Sequence, residues 1–395
     1  MRWFTVMILF VCTAVSANAE AKKFRWCCIK DEMNKCKEFK KAFPGIAQIA
    51  GVGQITPDCV SGDNKEDCMK KIKNNEADFV TLSGGDVLKA GKTYDLVPIV
   101  AEDYETLAGM GYYSVIVAKK DTTVTIGTLK GKKSCHTGYR RTAGWNIPIG
   151  YLLYNTTQGK ANSGCDAQFA SNYFSKSCVP GAPKLKGLEN LCALCPKESN
   201  CESSADKNTY SGYHGAFQCM ADKKGDVAFV KHVTTAEVLN YASAKYGKMS
   251  DYKYICPDGT TKVVTQEAYE DCSYGRRPSN AVVTRTTSDN KDFVNILVTA
   301  SKYCQPNTTA SNCSGFLIFE SSKYVPEKSN LLFRDSTKKL VSVGNKNTYD
   351  KWLGAGYIHA LAVQGGPACA VSEAAMLKPF SYLFVVCIIL GKVFI

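Results

Sequence analysis

The sequence predicts a disulfide-rich α/β protein, because short β-branched runs alternate with amphipathic stretches along most of its 395 residues. Hydrophobic residues make up 45% of the chain, which is enough for a large core and excludes a disordered protein. No repeat with a period of about 20 to 50 residues recurs, which excludes a repeat array.

Strands are predicted where apolar β-branched residues run together and end in polar residues or glycine, at 79–82, 96–101, 113–118, 227–230 and 281–286. Helices are predicted from helical periodicity at 32–41, 65–74, 146–154, 234–246 and 291–303. The cysteine-dense segment 178–219 lacks periodicity and predicts a loop region held by disulfides.

Both ends of the chain have targeting features. Residues 1–19 combine a basic start, an apolar run and small residues at Ala17 and Ala19, which predicts a cleaved signal peptide. Residues 365–395 pass from small residues into an apolar tail, which favours a lipid-anchor signal attached somewhere within 365–374. A transmembrane helix is the alternative. Either alternative predicts a protein on the outer face of the plasma membrane.

Nineteen cysteines in an exported chain predict disulfides. Without Cys12 and Cys387, which lie in the two removable segments, seventeen remain, so at least one thiol is free or intermolecular unless Cys369 leaves with the tail. Asn155, Asn307 and Asn312 are glycosylation acceptors, in agreement with export.

The formal net charge of +13 comes from scattered lysines and arginines. Because the chain is exported, we expect an anionic cell surface or a small anion as partner, and no nucleic acid.

The segment KKSCHTGYRRTAGWNIPIG, residues 132–150, predicts a helix start that binds an anion. Its glycines allow close approach, its threonines offer hydroxyls, and one of its two adjacent arginines supplies a planar double donor. A simple helix cap with two solvated arginines is the alternative from these residues alone.

The same segment, together with WCC, NEADFVTLSGG, SGYHGAFQC, GDVAFVKH and LLFRDS in this order, closely resembles the transferrin family over almost the whole mature chain. The resemblance implies one transferrin lobe at 20–364, with two α/β subdomains around a cleft, as in type II periplasmic binding proteins. Subdomain 1 would cover about 20–110 plus 278–345, subdomain 2 about 111–277, and a C-terminal helix about 348–364. The lobe would bind ferric iron together with carbonate.

The resemblance also implies a ligand set. Carbonate would bind Thr137, Arg141 and the backbone N–H groups of Ala143 and Gly144, which leaves Arg140 facing solvent. Iron would bind the phenolates of two tyrosines, which match Tyr112 and Tyr213. Read without the resemblance, each tyrosine is better explained as a half-buried core residue.

Two family ligands are replaced. Ser83 stands at the aspartate position and Asn280 at the histidine position, so the site loses an anionic ligand and its imidazole. We therefore expect weaker binding and faster release of iron. Asp86 is a poor substitute donor, because we expect it to face solvent on the following helix.

The family's acid-sensitive lysine pair is changed as well. Lys231 matches one member, whereas Arg334 stands at the other, and an arginine stays charged where a lysine can lose its proton. Among the histidines, each expected to be structural, only His214 deserves a closer look because it follows Tyr213.

Cys192 and Cys195 fit half a zinc site or a redox motif, but disulfides are favoured in an exported chain. Family spacing implies the pairs Cys27–Cys68, Cys36–Cys59, Cys135–Cys219, Cys178–Cys195, Cys192–Cys201 and Cys256–Cys272. Cys304 with Cys313 is predicted from their local spacing.

Together these features predict a cell-surface protein that binds ferric iron with carbonate for capture or transport. The alternative is a homologue that has lost iron binding and acts as an inhibitor, a receptor or another cell-surface interaction protein. An enzyme is not expected, since no catalytic triad or paired nucleophile and base is apparent.

Overall fold

The computed structural model describes residues 22–53, 55–104, 111–156, 165–286, 290–306 and 313–364. The predicted signal peptide, the C-terminal tail, Asn307 and Asn312 lie outside these ranges. Inside them, no helix is both long enough and apolar enough to cross a membrane.

Thirteen strands and eleven helices form within the described ranges. The strands are β1 Lys22–Ile29, β2 Ile55–Gly62, β3 Val80–Leu82, β4 Leu96–Asp103, β5 Gly111–Lys119, β6 Lys133–His136, β7 Lys176–Cys178, β8 Val227–Lys231, β9 Tyr252–Ile255, β10 Thr261–Val263, β11 Gly275–Pro278, β12 Ala281–Arg285 and β13 Lys339–Ser342. The helices are α1 Glu32–Ile49, α2 Lys65–Lys73, α3 Gly84–Tyr94, α4 Ile147–Thr156, α5 Asp166–Tyr173, α6 Gly212–Ala221, α7 Thr234–Tyr246, α8 Tyr269–Cys272, α9 Lys291–Tyr303, α10 Tyr349–Leu353 and α11 Ala355–Gln364.

The chain forms two compact units. The first contains the described residues up to Val115, Lys231–Val233 and Tyr269–Leu361. Its four-stranded sheet has the order β13-β4-β12-β3, and β1 and β2 pair in parallel beside it. Aromatic side chains fill its core, among them Phe24, Trp26 and Phe79, whose rings contact one another and α1. Apolar burial of this kind is the main stabilising term for the unit.

The second unit consists mainly of Ile116–Val230 and Thr234–Ala268. Its strands lie in the order β10-β9-β5-β8-β6-β7, with β6 parallel to both β7 and β8. Strands parallel to their neighbours are buried on both faces, which explains the unbroken apolar run VAFV in β8. Because β6, β7 and β8 point the same way, their carboxyl ends share one edge of the sheet.

The predicted strands and helices are all present, with some shifted boundaries. α1 continues to Ile49 through Pro44, beyond its predicted end at residue 41. The prediction of one C-terminal helix differs from the structure, which has α10 and α11 separated at Gly354, where φ is +75°. The cysteine-dense segment consists mostly of loops and short turns, but it also contains the start of α6.

Six disulfides match the predicted pairs: Cys27–Cys68, Cys36–Cys59, Cys135–Cys219, Cys178–Cys195, Cys192–Cys201 and Cys304–Cys313. Cys165, Cys256 and Cys272 are disulfide-bonded too, and the pairing of Cys256 with Cys272 stays a prediction. Cys192 and Cys195 therefore belong to structural disulfides, as the sequence favours.

Cys28 is the free cysteine within the described ranges, and it is buried. Its sulfur and those of the Cys36–Cys59 disulfide all lie within 4.8 Å of one another. Burial, with smaller effects of Glu32 and Asp58, raises the pKa of the Cys28 thiol to about 12. Since the thiolate is the reactive form, the folded protein holds this thiol inert beside a disulfide.

We expect Cys28 to resist alkylation in the native protein and to react once the chain is unfolded. Native protein is treated with iodoacetamide at pH 8, then unfolded and treated with a second, mass-distinct reagent, and the peptide is analysed by mass spectrometry. Cys28 should carry only the second label. First-step labelling of Cys28 at the rate of a small-molecule thiol would contradict its burial.

Candidate anion cradle and metal ligands

The anion-binding segment is a strand, a tight loop and a helix in the second unit. β6 ends at His136, Gly138 has φ of +147°, and Arg140 has φ of +55°. A wide π-type turn at Thr142–Asn146 then leads into α4. Helical backbone therefore begins at Thr142, four residues before the predicted start, which adds exposed donors of the first turn to the loop.

Thr137 has a buried hydroxyl whose hydrogen-bonding capacity the described residues do not satisfy. The residue is fully buried, and its hydroxyl oxygen has no hydrogen-bond partner among the described residues. A Cβ on Gly144 would overlap the Thr137 side chain, so glycine is required for this close approach. Burying a hydroxyl without a partner costs about 1–3 kcal/mol, and a bound anion would remove that cost.

Arg141 and Tyr213 adjoin the same loop. The Thr137 carbonyl accepts a hydrogen bond of 2.9 Å from the N–H of Gly212, the first residue of α6, so Tyr213 begins its helix beside the loop. The Arg141 side chain packs against Gly138, and its Nη2 donates to the Ser203 carbonyl at 3.1 Å. The structure thus gathers Thr137, Arg141, Gly144 and Tyr213 in one unit.

The expectation that Arg140 faces solvent is wrong. Its side chain is only 30% exposed, and Nη2 lies 3.4 Å from Oδ1 of Asp166. Asp166 is buried, and it also accepts hydrogen bonds from the Tyr139 hydroxyl at 2.9 Å and from Trp145 Nε1 at 2.8 Å. This buried carboxylate therefore ties the loop to the first turn of the helix, a role that the sequence did not reveal.

His136 packs against the loop and helix start at 137–146, which we call the anion cradle. Its ring is fully buried, stacks on Phe229 and lies 2.9 Å by Nδ1 from the Gly144 carbonyl. Because a carbonyl only accepts, Nδ1 carries the proton, and Nε2 accepts from the Ser134 hydroxyl at 2.9 Å. Burial lowers the pKa of His136 to about 4, so the ring is neutral and structural at pH 7.

In the first unit, the two replaced ligand positions are neighbours. Ala281 of β12 pairs with Leu82 of β3 in antiparallel register, and the residues just beyond this pair are Asn280 and Ser83. Directly opposed residues in such a ladder have Cα atoms about 4.5–5.5 Å apart. The sequence separates these positions by almost two hundred residues, and the sheet brings them together.

Ser83 precedes α3, and its hydroxyl donates to Asp86 Oδ2 at 2.7 Å. The same carboxylate oxygen lies 2.8 Å from Lys65 Nζ. Burial disfavours the ionised form of Asp86, but the hydrogen bonds from Lys65 and Ser83 outweigh it and lower its pKa. Asp86 therefore does not simply face solvent as expected, because Lys65 and Ser83 both bind its carboxylate. At the aspartate position, the oxygen that remains as a possible metal ligand is that of Ser83.

Glu102 is a neighbouring carboxylate that sequence reasoning missed. It is 1% exposed, its N–H donates to the Asn280 carbonyl at 3.0 Å, and its side chain accepts from the Tyr104 hydroxyl at 2.8 Å and from the Arg334 N–H at 3.1 Å. Burial raises its pKa. The one sequence signal for a buried carboxylate here is the position of Glu102 directly after the apolar run LVPIVA.

Tyr112 lies in β5, opposite Arg277 of β11 in register. The Arg277 guanidinium carbon is 5.7 Å from the centre of the Tyr112 ring, a cation–π distance. Tyr112 is half-buried, as the sequence predicts for a core tyrosine.

Comparison with known proteins decides the family. Residues 24–364 match the family profile described as Transferrin. The chain belongs to the transferrin family. It is similar to melanotransferrin of Oryctolagus cuniculus, with 38% identity over 363 residues, covering 89% of this chain and 47% of that protein. Melanotransferrin of Homo sapiens gives the same identity and coverage. Serotransferrin of Oryzias latipes is 36% identical over 363 residues, covering 91% of this chain and 46% of that protein.

The chain spans about half the length of these curated relatives. The match confirms the resemblance and the α/β transferrin fold. Transferrins are binding and transport proteins, and the serotransferrin and melanotransferrin relatives indicate an extracellular or secreted protein.

The remaining predicted positions are also located. Lys231 is the last residue of β8. Arg334 is exposed, and its backbone N–H donates a hydrogen bond to the Glu102 carboxylate. His214 is exposed and lies 3.2 Å from Glu237 and 3.3 Å from the Tyr241 hydroxyl, which is a surface cluster. Asn155 is exposed near the end of α4.

The buried His136 predicts a specific loss of stability in acid. Its pKa of about 4 in the folded protein lies below the ordinary value of 6.5, so unfolding takes up a proton below pH 6.5. Stability from this group is complete above pH 6.5 and declines towards pH 4, with about 2 kcal/mol lost between pH 7 and pH 5. Urea unfolding at both pH values measures it.

The comparison uses His136→Gln, which cannot titrate, and His214→Gln, which removes an exposed histidine. His136→Gln should lose less stability than the parent between pH 7 and pH 5, and His214→Gln should match the parent. Equal losses in all three proteins would show that His136 is not held neutral by burial.

Proposed function

We propose that this protein binds ferric iron outside the cell, with carbonate as a co-ligand, for iron capture or transport. The observation that carries the proposal is the buried Thr137 hydroxyl, which lacks a partner among the described residues. It lies against Gly144 in the first turn of the helix. A carbonate oxygen accepts the hydrogen bond that this hydroxyl offers. Arg141 and the N–H groups of Ala143 and Gly144 would bind the other oxygens.

Tyr112 and Tyr213 would supply phenolate oxygens to the iron. Ferric iron is a hard cation that prefers anionic oxygen donors. Two phenolates and a carbonate dianion together exceed the ferric charge, so binding does not require a further anionic ligand.

Affinity would be reduced on the side of Ser83 and Asn280. Neither a hydroxyl nor an amide matches the carboxylate and imidazole that the family resemblance implies there. Asp86 does not compensate, because its carboxylate is held by Lys65 and by the Ser83 hydroxyl. We therefore propose faster iron release than in a transferrin with the full ligand set.

Acid-triggered release would also differ. A lysine pair can lose a proton, whereas Arg334 stays charged at any working pH. Release by acid would then rest mainly on protonation of the phenolates and carbonate.

The predicted C-terminal lipid anchor would hold the protein on the outer face of the plasma membrane, where a receptor could bind it.

Iron binding is tested by adding ferric iron and bicarbonate to the purified protein and recording the visible band of phenolate bound to iron. The parent should develop this band, and Tyr112→Phe and Tyr213→Phe should each weaken or abolish it, because each removes one phenolate ligand. Tyr241→Phe is the matched control, since Tyr241 is 61% exposed and its hydroxyl lies 3.3 Å from His214 in the surface cluster.

Absence of a band in the parent would overturn the proposal. So would a band that survives unchanged in the Tyr112→Phe, Tyr213→Phe double variant. Either outcome would favour the non-binding interaction protein as the alternative function.

A further inference from the structure

Six lysines gather at the edge of the second unit's sheet that lies opposite the cradle. They are Lys120, Lys132, Lys133, Lys176, Lys223 and Lys224, and we call them the lysine edge. Lys132 is half-buried and the other five are exposed. They come from four separate segments, so the sheet, not a run in the sequence, assembles them.

Strand register places these residues side by side. Lys133 and Lys176 start the parallel strands β6 and β7 and are directly paired. The Lys133 carbonyl accepts from the Asp226 N–H at 2.9 Å, which sets the start of β8 beside them, with Lys223 and Lys224 just before it. Lys120 and Lys223 line one open groove of about 820 Å³. Four adjacent strand ends span roughly 14 Å, since strands lie about 4.8 Å apart.

None of these six lysines forms an ion pair with any residue in the described ranges. Other lysines do: Lys40, Lys41 and Lys328 lie 2.7–2.8 Å from Asp58, Glu38 and Asp31. Three carboxylates, those of Asp121, Asp226 and Asp251, line the same groove and offset part of this charge. Within the part of the chain that the structure describes, none of them forms an ion pair with the six lysines. Six lysines beside three carboxylates leave the edge with a net positive charge.

We propose that the lysine edge binds a sulfated polysaccharide of the extracellular surface. A row of lysine ammonium groups suits a flexible chain of sulfates. Binding of such a chain requires a high density of positive charge on the protein and no fixed hydrogen-bond geometry. The row also fits an extended polymer better than a small anion, because the lysines extend over several strand spacings. Binding there would concentrate the protein at cell surfaces and matrices.

Two other polyanions fit less well. The residues that line the groove include no aromatic side chain on which nucleic-acid bases could stack. Anionic lipids lie mainly in the cytoplasmic leaflet, which an extracellular protein does not meet. The edge also offers no exposed large apolar side chain for insertion among the described residues.

This surface is separate from the proposed iron site. Lys133 starts β6 and Thr137 follows its end, so the strand holds the two about 10–13 Å apart. Polysaccharide and carbonate could therefore be bound together. The inference does not rest on iron binding, and it can hold even if the protein binds no metal.

The test measures binding of the purified protein to heparin in 0.15 M NaCl. The variant Lys133→Gln/Lys176→Gln/Lys223→Gln should bind at least about tenfold more weakly and show a shallower dependence on salt, because fewer counterions are released. The matched control, Lys40→Gln/Lys41→Gln/Lys328→Gln, removes the same net charge from paired lysines and should stay within about twofold of the parent. Replacing the same three edge lysines with arginine should preserve binding, which separates lost charge from lost folding.

Three results would overturn the proposal. The parent could fail to bind heparin, both glutamine variants could weaken binding equally, or the parent could bind phosphatidylserine vesicles as tightly as heparin. The second result would mean that total charge alone decides binding, and the third would identify a lipid headgroup as the partner.

Discussion

The close approach of Gly144 to Thr137 is the constraint on which the rest of the site depends. Any side chain at Gly144 would overlap Thr137, and only that approach brings a buried hydroxyl to the first turn of a helix. The Thr137 hydroxyl has no partner in the part of the chain that the structure describes, and this is a cost that the folded protein carries. A cost of this kind persists where it serves ligand binding, because preorganised donors bind an anion without first rearranging.

Buried groups on two sides hold this arrangement in place. Asp166 connects Tyr139, Arg140 and Trp145, and His136 holds the Gly144 carbonyl. Both are buried polar residues with partners for their polar atoms. The loop and the helix start satisfy Asp166, and the Gly144 carbonyl together with the Ser134 hydroxyl satisfies His136. Removing either would leave buried polar groups without partners and would loosen the cradle without touching the anion itself. The cradle is therefore supported by residues that have no expected contact with iron or carbonate.

Periodicity was sufficient to predict the main strands and helices, since β-branched runs such as VAFV and helical stretches such as residues 291–303 have strong local signals. The family resemblance supplied the residues of the anion cradle and the predicted disulfide pairs other than Cys304–Cys313, which came from local spacing. What could not be predicted depended on long-range register. Ser83 meets Asn280 only through the pairing of β3 with β12, Glu102 joins them through β4, and Arg140 turns inward because Asp166 is buried nearby. The lysine edge is invisible in the sequence for the same reason.

The proposed anion cradle lies in one unit, and the two replaced ligand positions, Ser83 and Asn280, lie in the other. One comparison tests most directly whether these two positions limit iron binding. Iron affinity is measured in bicarbonate for the parent and for Ser83→Asp/Asn280→His, which restores the carboxylate and imidazole. The restored protein should bind ferric iron at least about tenfold more tightly, since changes even to outer-shell groups alter metal affinity by about 10–100-fold. Equal affinity in the two proteins would contradict the claim that these two positions limit binding.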